Sequence, residues 1–234
     1  MIKTEMVNRS PLRILEQSIH GGLDKGNIGI LASKKGVGKT ACLVHIAMDK
    51  LFQGKHVIHI SYSSKVDHII NWYKDIFKGI AKNQKKGFPA DVYNEIIKKR
   101  VIMNFNQAGT KTDQVLKSLG SIIEEGRFEA DTVVVDGFDF SMSNPEELRM
   151  FREFALKDGV ELWFTASLLG KEPIYNKKGI PFMLERFLED IEVLITLMYK
   201  DDWVRLYLIK NHEFISPGEL QLKLDPKTFL IAND

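Results

Sequence analysis

Residues 30–47, ILASKKGVGKTACLVHIA, carry the strongest structural signal in the sequence. Apolar and small residues precede a glycine-containing loop, and a segment with the apolar spacing of a helix follows it. The loop ends in Gly38, Lys39 and Thr40, which match the second half of the phosphate-loop pattern G-x-x-x-x-G-K-[ST]. Backbone N–H groups of such a loop and the positive end of its helix bind phosphate. The stretch therefore predicts a phosphate-binding loop between a buried strand and a helix.

Two side chains at the end of this loop have expected tasks. Lys39 is of the type that contacts the β- and γ-phosphates of ATP, and the Thr40 hydroxyl is of the type that binds Mg²⁺. A glycine-rich turn without a ligand is the alternative, but the flanking strand and helix favour nucleotide binding. The predicted nucleotide contacts are Ser33, Lys34, Lys35, Gly36, Val37, Gly38, Lys39, Thr40 and Ala41.

The beginning of the loop departs from the general pattern. Ser33 replaces the first glycine, which a serine can do if its φ is negative. Residues 34–40, KKGVGKT, resemble the deviant Walker A loop of the ParA and MinD partitioning ATPases, in which a leading lysine reaches a dimer partner's phosphates. That resemblance implies such a role for Lys34. The alternative, that Lys34 and Lys35 are solvated charges, is favoured because the second strand lacks the aspartate of that family.

An acidic residue suited to the metal lies about a hundred residues further along. Residues 128–140, FEADTVVVDGFDF, look like a Walker B strand that ends in Asp136. The carboxyl end of a parallel strand lies at the sheet edge where ligands bind. Asp136 is therefore predicted to bind Mg²⁺ with Thr40 and to act in catalysis with Lys39. Asp139 is a second candidate acid for the same cleft, and a simple turn aspartate is the alternative for Asp136.

The composition indicates an ordinary globular chain. The 234 residues are 44% hydrophobic and 27% charged, which is enough to bury a substantial core. A net charge of +2 is too small to indicate nucleic-acid binding by itself. The single cysteine, Cys42, gives no disulfide framework, which suits a reducing compartment. No signal peptide or membrane span is recognisable, so the expected location is cytoplasmic.

Strand-like and helix-like segments alternate along most of the chain. Apolar runs at 27–33, 56–62, 101–105, 131–138 and 161–169 are separated by helical patterns, which predicts a mostly parallel sheet covered on both faces. The last three apolar runs, within 191–224, follow one another with short turns and should pair antiparallel. We expect one α/β domain over residues 1–234, with 1–24 as a lead-in and a long polar loop at 170–182.

The order of these segments is similar to that of a known family. Residues 18–47, SIHGGLDKGNIGILASKKGVGKTACLVHIA, resemble the opening of RecA-like ATPases of the KaiC and RadA branch: GGL-x-x-G, strand, phosphate loop and helix. The resemblance continues through the Walker B strand to the tail at 190–226, which looks like the family's closing hairpin. It implies a three-layer RecA-like P-loop NTPase fold with antiparallel C-terminal edge strands. It also implies a homo-oligomer with nucleotide near a subunit interface.

Two catalytic positions of that family are changed here. The family carries a catalytic glutamate after its second strand, where this chain has Ser63 and Ser64. A serine hydroxyl is hardly ionised near neutral pH and is a poor base. The family's closing strand commonly ends K-x-R, with basic groups that reach a neighbour's γ-phosphate. Here Lys210 is kept and His212 stands at the arginine position, so the hydrolytic groups are weakened while the binding groups remain.

Other polar groups near the predicted site have two interpretations each. Ser167, at the end of a strand, is in a position to sense the γ-phosphate. The loop from Lys171 to Lys178 corresponds to a DNA-contacting loop of RecA-like recombinases, and its Tyr175 could stack on a base. A solvated mobile loop is the favoured alternative. Salt-dependent binding to single-stranded DNA would separate the two.

These features lead to three functional hypotheses. The first is an Mg-ATP-binding slow ATPase, or a nucleotide-dependent switch, that acts on an unidentified protein partner. The second is a non-catalytic nucleotide-binding scaffold. The third, which is not favoured, is a DNA-handling ATPase that uses the Lys171–Lys178 loop.

Overall fold

The computed structural model describes residues 7–8, 10–62, 66–82, 90–107, 109–170 and 172–233. Ser63 and Ser64, at the family's glutamate position, lie outside these ranges, as does Lys171. The helices are α1 Leu12–Ser18, α2 Lys39–Phe52, α3 Val66–Lys82, α4 Ala90–Ile97, α5 Thr112–Glu124 and α6 Pro145–Asp158. The strands are β1 Ile28–Ser33, β2 Val57–Ser61, β3 Arg100–Asn104, β4 Thr132–Asp136, β5 Glu161–Ser167, β6 Val193–Lys200, β7 Trp203–Asn211, β8 Phe214–Leu224 and β9 Ile231–Asn233.

The strands form one sheet in the order β3-β2-β4-β5-β1-β6-β7-β8-β9. The neighbours from β3 to β6 pair parallel, and β7, β8 and β9 continue the sheet antiparallel. This confirms the predicted fold class. The antiparallel part is larger than predicted, because the short strand β9 follows the three closing runs.

Two apolar cores lie on opposite faces of the sheet. One contains buried side chains of α1, α2 and α3, including Cys42 and Tyr73, and the other contains those of α5 and α6. Side chains alternate between the two faces along each strand. The result is a three-layer arrangement, which fixes the direction in which each polar side chain at the strand ends points.

The segment predicted as a long polar loop is partly ordered by local pairing. Tyr175 forms an isolated bridge with Pro181, and a 3₁₀ helix follows at Phe182–Phe187. The Asn176 carboxamide oxygen accepts hydrogen bonds from the Lys178 and Ile180 N–H groups, which closes a tight turn. The described part of this segment is therefore a structured ribbon with Lys177 and Lys178 exposed at its tip.

The closing strands rise beside the phosphate loop. The pairing of β6 with β1 ends at Thr196, whereas β6 continues to Lys200. After β8 the chain turns back over the start of α2, where the Phe229 carbonyl oxygen lies 3.0 Å from His45 Nε2. Within the described ranges, no helix combines the length and apolar character needed to cross a bilayer.

Candidate functional site

The phosphate loop joins the carboxyl end of β1 to the first turn of α2. Gly36 and Gly38 have φ values of 84° and 119°, which side chains rarely adopt. A Cβ on Gly38 would lie 2.3 Å from Leu224 Cδ2, while one on Gly36 would meet nothing within 4 Å. Gly38 is therefore required by both conformation and packing. Helix α2 begins directly after it, so the positive helix end points towards the loop.

The side chain of Lys39 folds back under the loop. Its Nζ donates to the Ser33 carbonyl oxygen at 3.0 Å and to the Lys34 carbonyl oxygen at 2.9 Å, and Ser33 Oγ lies 3.4 Å away. Lys39 is only 7% exposed, and this burial lowers its pKa to about 8 despite the opposing charge of Asp136. A buried ammonium held by neutral oxygens has unused capacity for an anion, and this suits a phosphate.

Thr40 and Asp136 meet across the sheet edge, as the sequence predicts. Thr40 Oγ1 donates to Asp136 Oδ2 at 3.0 Å and lies 3.3 Å from Oδ1. A hydroxyl and a carboxylate are hard oxygen ligands of the kind Mg²⁺ prefers, and Mg²⁺ sites commonly use few protein ligands together with phosphates. The pair therefore fits Mg²⁺ held with a nucleotide.

Thr165 on β5 is a member of this network that sequence reasoning missed. Its Oγ1 accepts the Gly137 N–H at 3.0 Å and donates to Asp136 Oδ1 at 2.7 Å. Because the Gly137 amide can only donate, the hydroxyl hydrogen of Thr165 is directed at the carboxylate. Thr165 therefore fixes the orientation of Asp136. Its place in the run ELWFTAS carries no motif, and only the strand register reveals it.

The remaining predicted contact residues differ in what they present. Ser33 is buried with a negative φ, so it replaces the first glycine without strain. Lys34 and Lys35 are exposed beside the loop. The side chains of Val37 and Ala41 are buried in the core, so these two residues can offer only backbone groups to a ligand.

Asp139, the second candidate acid, does not face the cleft. Its Oδ1 accepts hydrogen bonds from the N–H and hydroxyl of Ser141 and from the N–H of Met142. The carboxylate stabilises its own turn. The expectation that it lies in the cleft is wrong, because a short polar loop satisfies this side chain locally.

Ser167, Lys210 and His212 lie at different ends of the strands. Ser167 is exposed at the carboxyl end of β5 and pairs in register with Ser33. Lys210 lies at the opposite edge of the sheet, where its Nζ donates to the carbonyl oxygens of Leu188 and Ile191. His212 Nδ1 lies 3.0 Å from Glu192 Oε1 at the same edge. Within the subunit, Lys210 and His212 are separated from the phosphate loop by the length of a strand.

Comparisons with known proteins identify the fold. No family model matches the chain, and no curated protein matches it by sequence. The solved structure of the ATPase domain of a RecA-like replicative helicase is similar, with a TM-score of 0.71 and 14% identity. The match covers 96% of this chain and 90% of that one. The chain therefore has the RecA-like fold of a P-loop ATPase domain.

Proposed function

We propose that this protein binds Mg-ATP in its phosphate loop and acts as a slow ATPase or nucleotide-dependent switch on a protein partner. The observation that carries the proposal is the contact between Thr40 and Asp136 beside the buried ammonium of Lys39. Cation, hydroxyl and carboxylate converge at one helix N-terminus, which is the set needed for a nucleotide with its metal.

Each residue of this set has a distinct role. Lys39 exchanges its two carbonyl partners for phosphate oxygens and so gains a charge-assisted contact. Thr40 and Asp136 hold Mg²⁺, which when bound supplies positive charge against the phosphates, and Thr165 holds the Asp136 carboxylate in place. The loop N–H groups and the α2 N-terminus complete the anion site.

The proposed slowness follows from the sequence after β2. A base or water-orienting group is needed for hydrolysis, and Ser63 and Ser64 stand at the family's glutamate position. Lys34 and Lys35 are exposed beside the loop and would offset transition-state charge at a subunit interface. Homo-oligomerisation with nucleotide near that interface is part of the proposal. If Lys34→Ala and Lys35→Ala leave nucleotide affinity and turnover unchanged, this role is withdrawn.

The first test is to incubate the purified protein with Mg-ATP and quantify bound and free ATP and ADP by chromatography, with Lys39→Ala as the blank. ADP above the blank establishes an ATPase. ATP bound but uncleaved favours a switch or the alternative of a non-catalytic scaffold, for which the serines at 63 and 64 speak. No retained nucleotide and no ADP with the wild type overturns the proposal.

A further inference from the structure

An open cleft of about 710 Å³ lies beside the phosphate loop and is not used by the groups described above. Its walls are the β6–β7 turn, residues 199–203, and the turn after β8, residues 225–227. The volume falls within the roughly 300–1,000 Å³ typical of small-molecule sites. Leu224, which would touch a Cβ on Gly38, immediately precedes one wall. The cleft is therefore adjacent to the loop.

The direction in which a bound nucleotide must extend is set by the metal side of the site. Asp136 and Thr165 lie on β4 and β5, on one side of β1, and they fix the end where the β- and γ-phosphates and Mg²⁺ belong. The α-phosphate and nucleoside then extend to the other side of β1. That side is formed by β6, which runs four residues past Thr196, or about 13 Å at a strand's rise per residue.

The cleft offers an aromatic surface to a base. Tyr199 is 59% exposed, although it lies on the last turn-proximal part of β6. Trp203 stands in the opposite wall, where Lys223 Nζ lies 4.6 Å from its ring centroid and so covers one face. Tyr199 is thus the aromatic side chain with open area, and bases stack on such rings.

The acidic side chains of the cleft divide into engaged and open ones. Both Asp225 carboxylate oxygens accept hydrogen bonds from Lys227 and Thr228 in their own turn. Asp201 and Asp202 are exposed, with φ values of 49° and 65° in the tight β6–β7 turn. Neither carboxylate has a hydrogen-bond partner within the described part of the chain. Open carboxylates accept from hydroxyl and amino groups, which a nucleoside carries on its ribose and on its base.

The geometry points to this cleft as the nucleoside subsite of the nucleotide site: Tyr199 stacks on a purine base, and Asp201 and Asp202 accept hydrogen bonds from nucleoside donors. The assignment rests on the proposed nucleotide binding and deepens it. It makes the closing strands part of the ligand site, so ligand occupancy is linked to the antiparallel end of the sheet.

The test compares ATP with inorganic tripolyphosphate, both with Mg²⁺, by titration calorimetry on the full chain. Tyr199→Ala is expected to weaken ATP binding roughly tenfold and to leave tripolyphosphate binding unchanged, because only ATP has a base to stack. Tyr199→Phe should keep wild-type affinity. Phe214→Ala, which removes an aromatic side chain that is 69% exposed at the other end of the same hairpin, is the matched control and should change neither ligand.

The outcomes separate the subsite from the proposed function. Wild-type protein that binds neither ligand overturns both. Equal binding of ATP and tripolyphosphate by the wild type, or a Tyr199→Ala variant with unchanged ATP affinity, overturns the subsite alone. For the carboxylates, weaker binding of 2′-deoxy-ATP assigns them to the ribose, and weaker binding of purine riboside triphosphate assigns them to the base amino group. Binding of both analogues as tight as that of ATP overturns the role of Asp201 and Asp202.

Discussion

The two edges of the sheet carry the same pair of residue types in different surroundings. At the carboxyl edge Lys39 and His45 lie in and behind the phosphate loop, and at the amino edge Lys210 and His212 lie on and just after β7. Both lysines donate to main-chain carbonyls, and burial lowers the pKa of both. A lysine held by carbonyls is therefore not in itself a sign of a phosphate site.

What differs is the set of groups around each lysine. Lys39 has a helix N-terminus, two glycines with positive φ, and a threonine–carboxylate pair beside it. The carbonyls that hold Lys210 come from Leu188 and Ile191, in the connection that leads into β6, and the neighbouring acid Glu192 contacts His212. The comparison teaches that the neighbourhood, and not the lysine, makes the anion site. It also gives Lys210 a structural role within its own subunit.

The largest expected effect comes from exchanging the two lysines for alanine. Lys39→Ala should weaken Mg-ATP binding at least ~100-fold, because a charge-assisted phosphate contact is lost. Lys210→Ala should leave affinity within about twofold but lower the free energy of unfolding by about 1–3 kcal/mol, because two carbonyls lose their donor. Titration calorimetry and denaturant unfolding measure the two effects. Turnover lost in Lys210→Ala at full affinity would instead show that Lys210 acts on a neighbour's nucleotide, as the family resemblance implies.

The buried histidine at the phosphate edge should make stability depend on pH. Burial lowers the pKa of His45 to about 4, and its Nε2 pairs with the Phe229 carbonyl oxygen as a neutral donor. The unfolded chain, with a histidine pKa near 6.5, then binds more protons between pH 4 and 6.5, so stability falls as pH drops through this window. His45 contributes up to about 3 kcal/mol of that loss.

The variant His45→Gln isolates this contribution, because it keeps an N–H donor for Phe229 but does not titrate. Its free energy of unfolding, measured by urea denaturation at pH 4.5 and 6.5, should change less with pH than that of the wild type. An identical pH dependence in the two proteins would mean that the pKa of His45 is not lowered by folding.

The two aspartates of the β4–α6 connection give the next effect in size. Asp136→Asn should weaken Mg-ATP binding roughly tenfold and reduce its dependence on Mg²⁺, because the amide is a poor ligand for the metal. Asp139→Asn is the matched control and should leave both unchanged, since Asp139 is engaged with Ser141 and Met142. Binding of ATP is measured with Mg²⁺ and with a chelator. Equal effects of both substitutions would put Asp139 back in the cleft.

The parts of the site that local patterns predict are those encoded within one short segment. Strand, glycine loop and Lys39–Thr40 are contiguous, and a run of valines followed by Asp136 marks a strand end. The contact between Thr40 and Asp136 follows from the rule that carboxyl ends of parallel strands share an edge. The fold class was predictable for the same reason, because strands and helices alternate visibly.

The parts that were missed depend on tertiary placement. Thr165 reaches Asp136 only because β5 lies between β1 and β4, and an apolar strand with one threonine does not reveal that order. The cleft of Tyr199 exists because β6 outruns β1, which is a matter of register. Asp139 was misplaced because its turn partners are local, and a motif three residues away suggested a functional role.

The smallest effect in this series concerns the two glycines of the loop. Both have positive φ, so alanine at either costs about 1 kcal/mol of backbone strain. Gly38→Ala also forces Leu224 away, because its Cβ would lie 2.3 Å from Leu224 Cδ2, whereas Gly36→Ala enters open space. The difference in unfolding free energy between the two variants should be about 1 kcal/mol, since a flexible leucine end can shift. If Leu224 is part of the wall between loop and cleft, Gly38→Ala should also weaken ATP binding more than tripolyphosphate binding. Equal losses for both ligands would confine its effect to the phosphate loop, and the two edges would then differ only in their anion site.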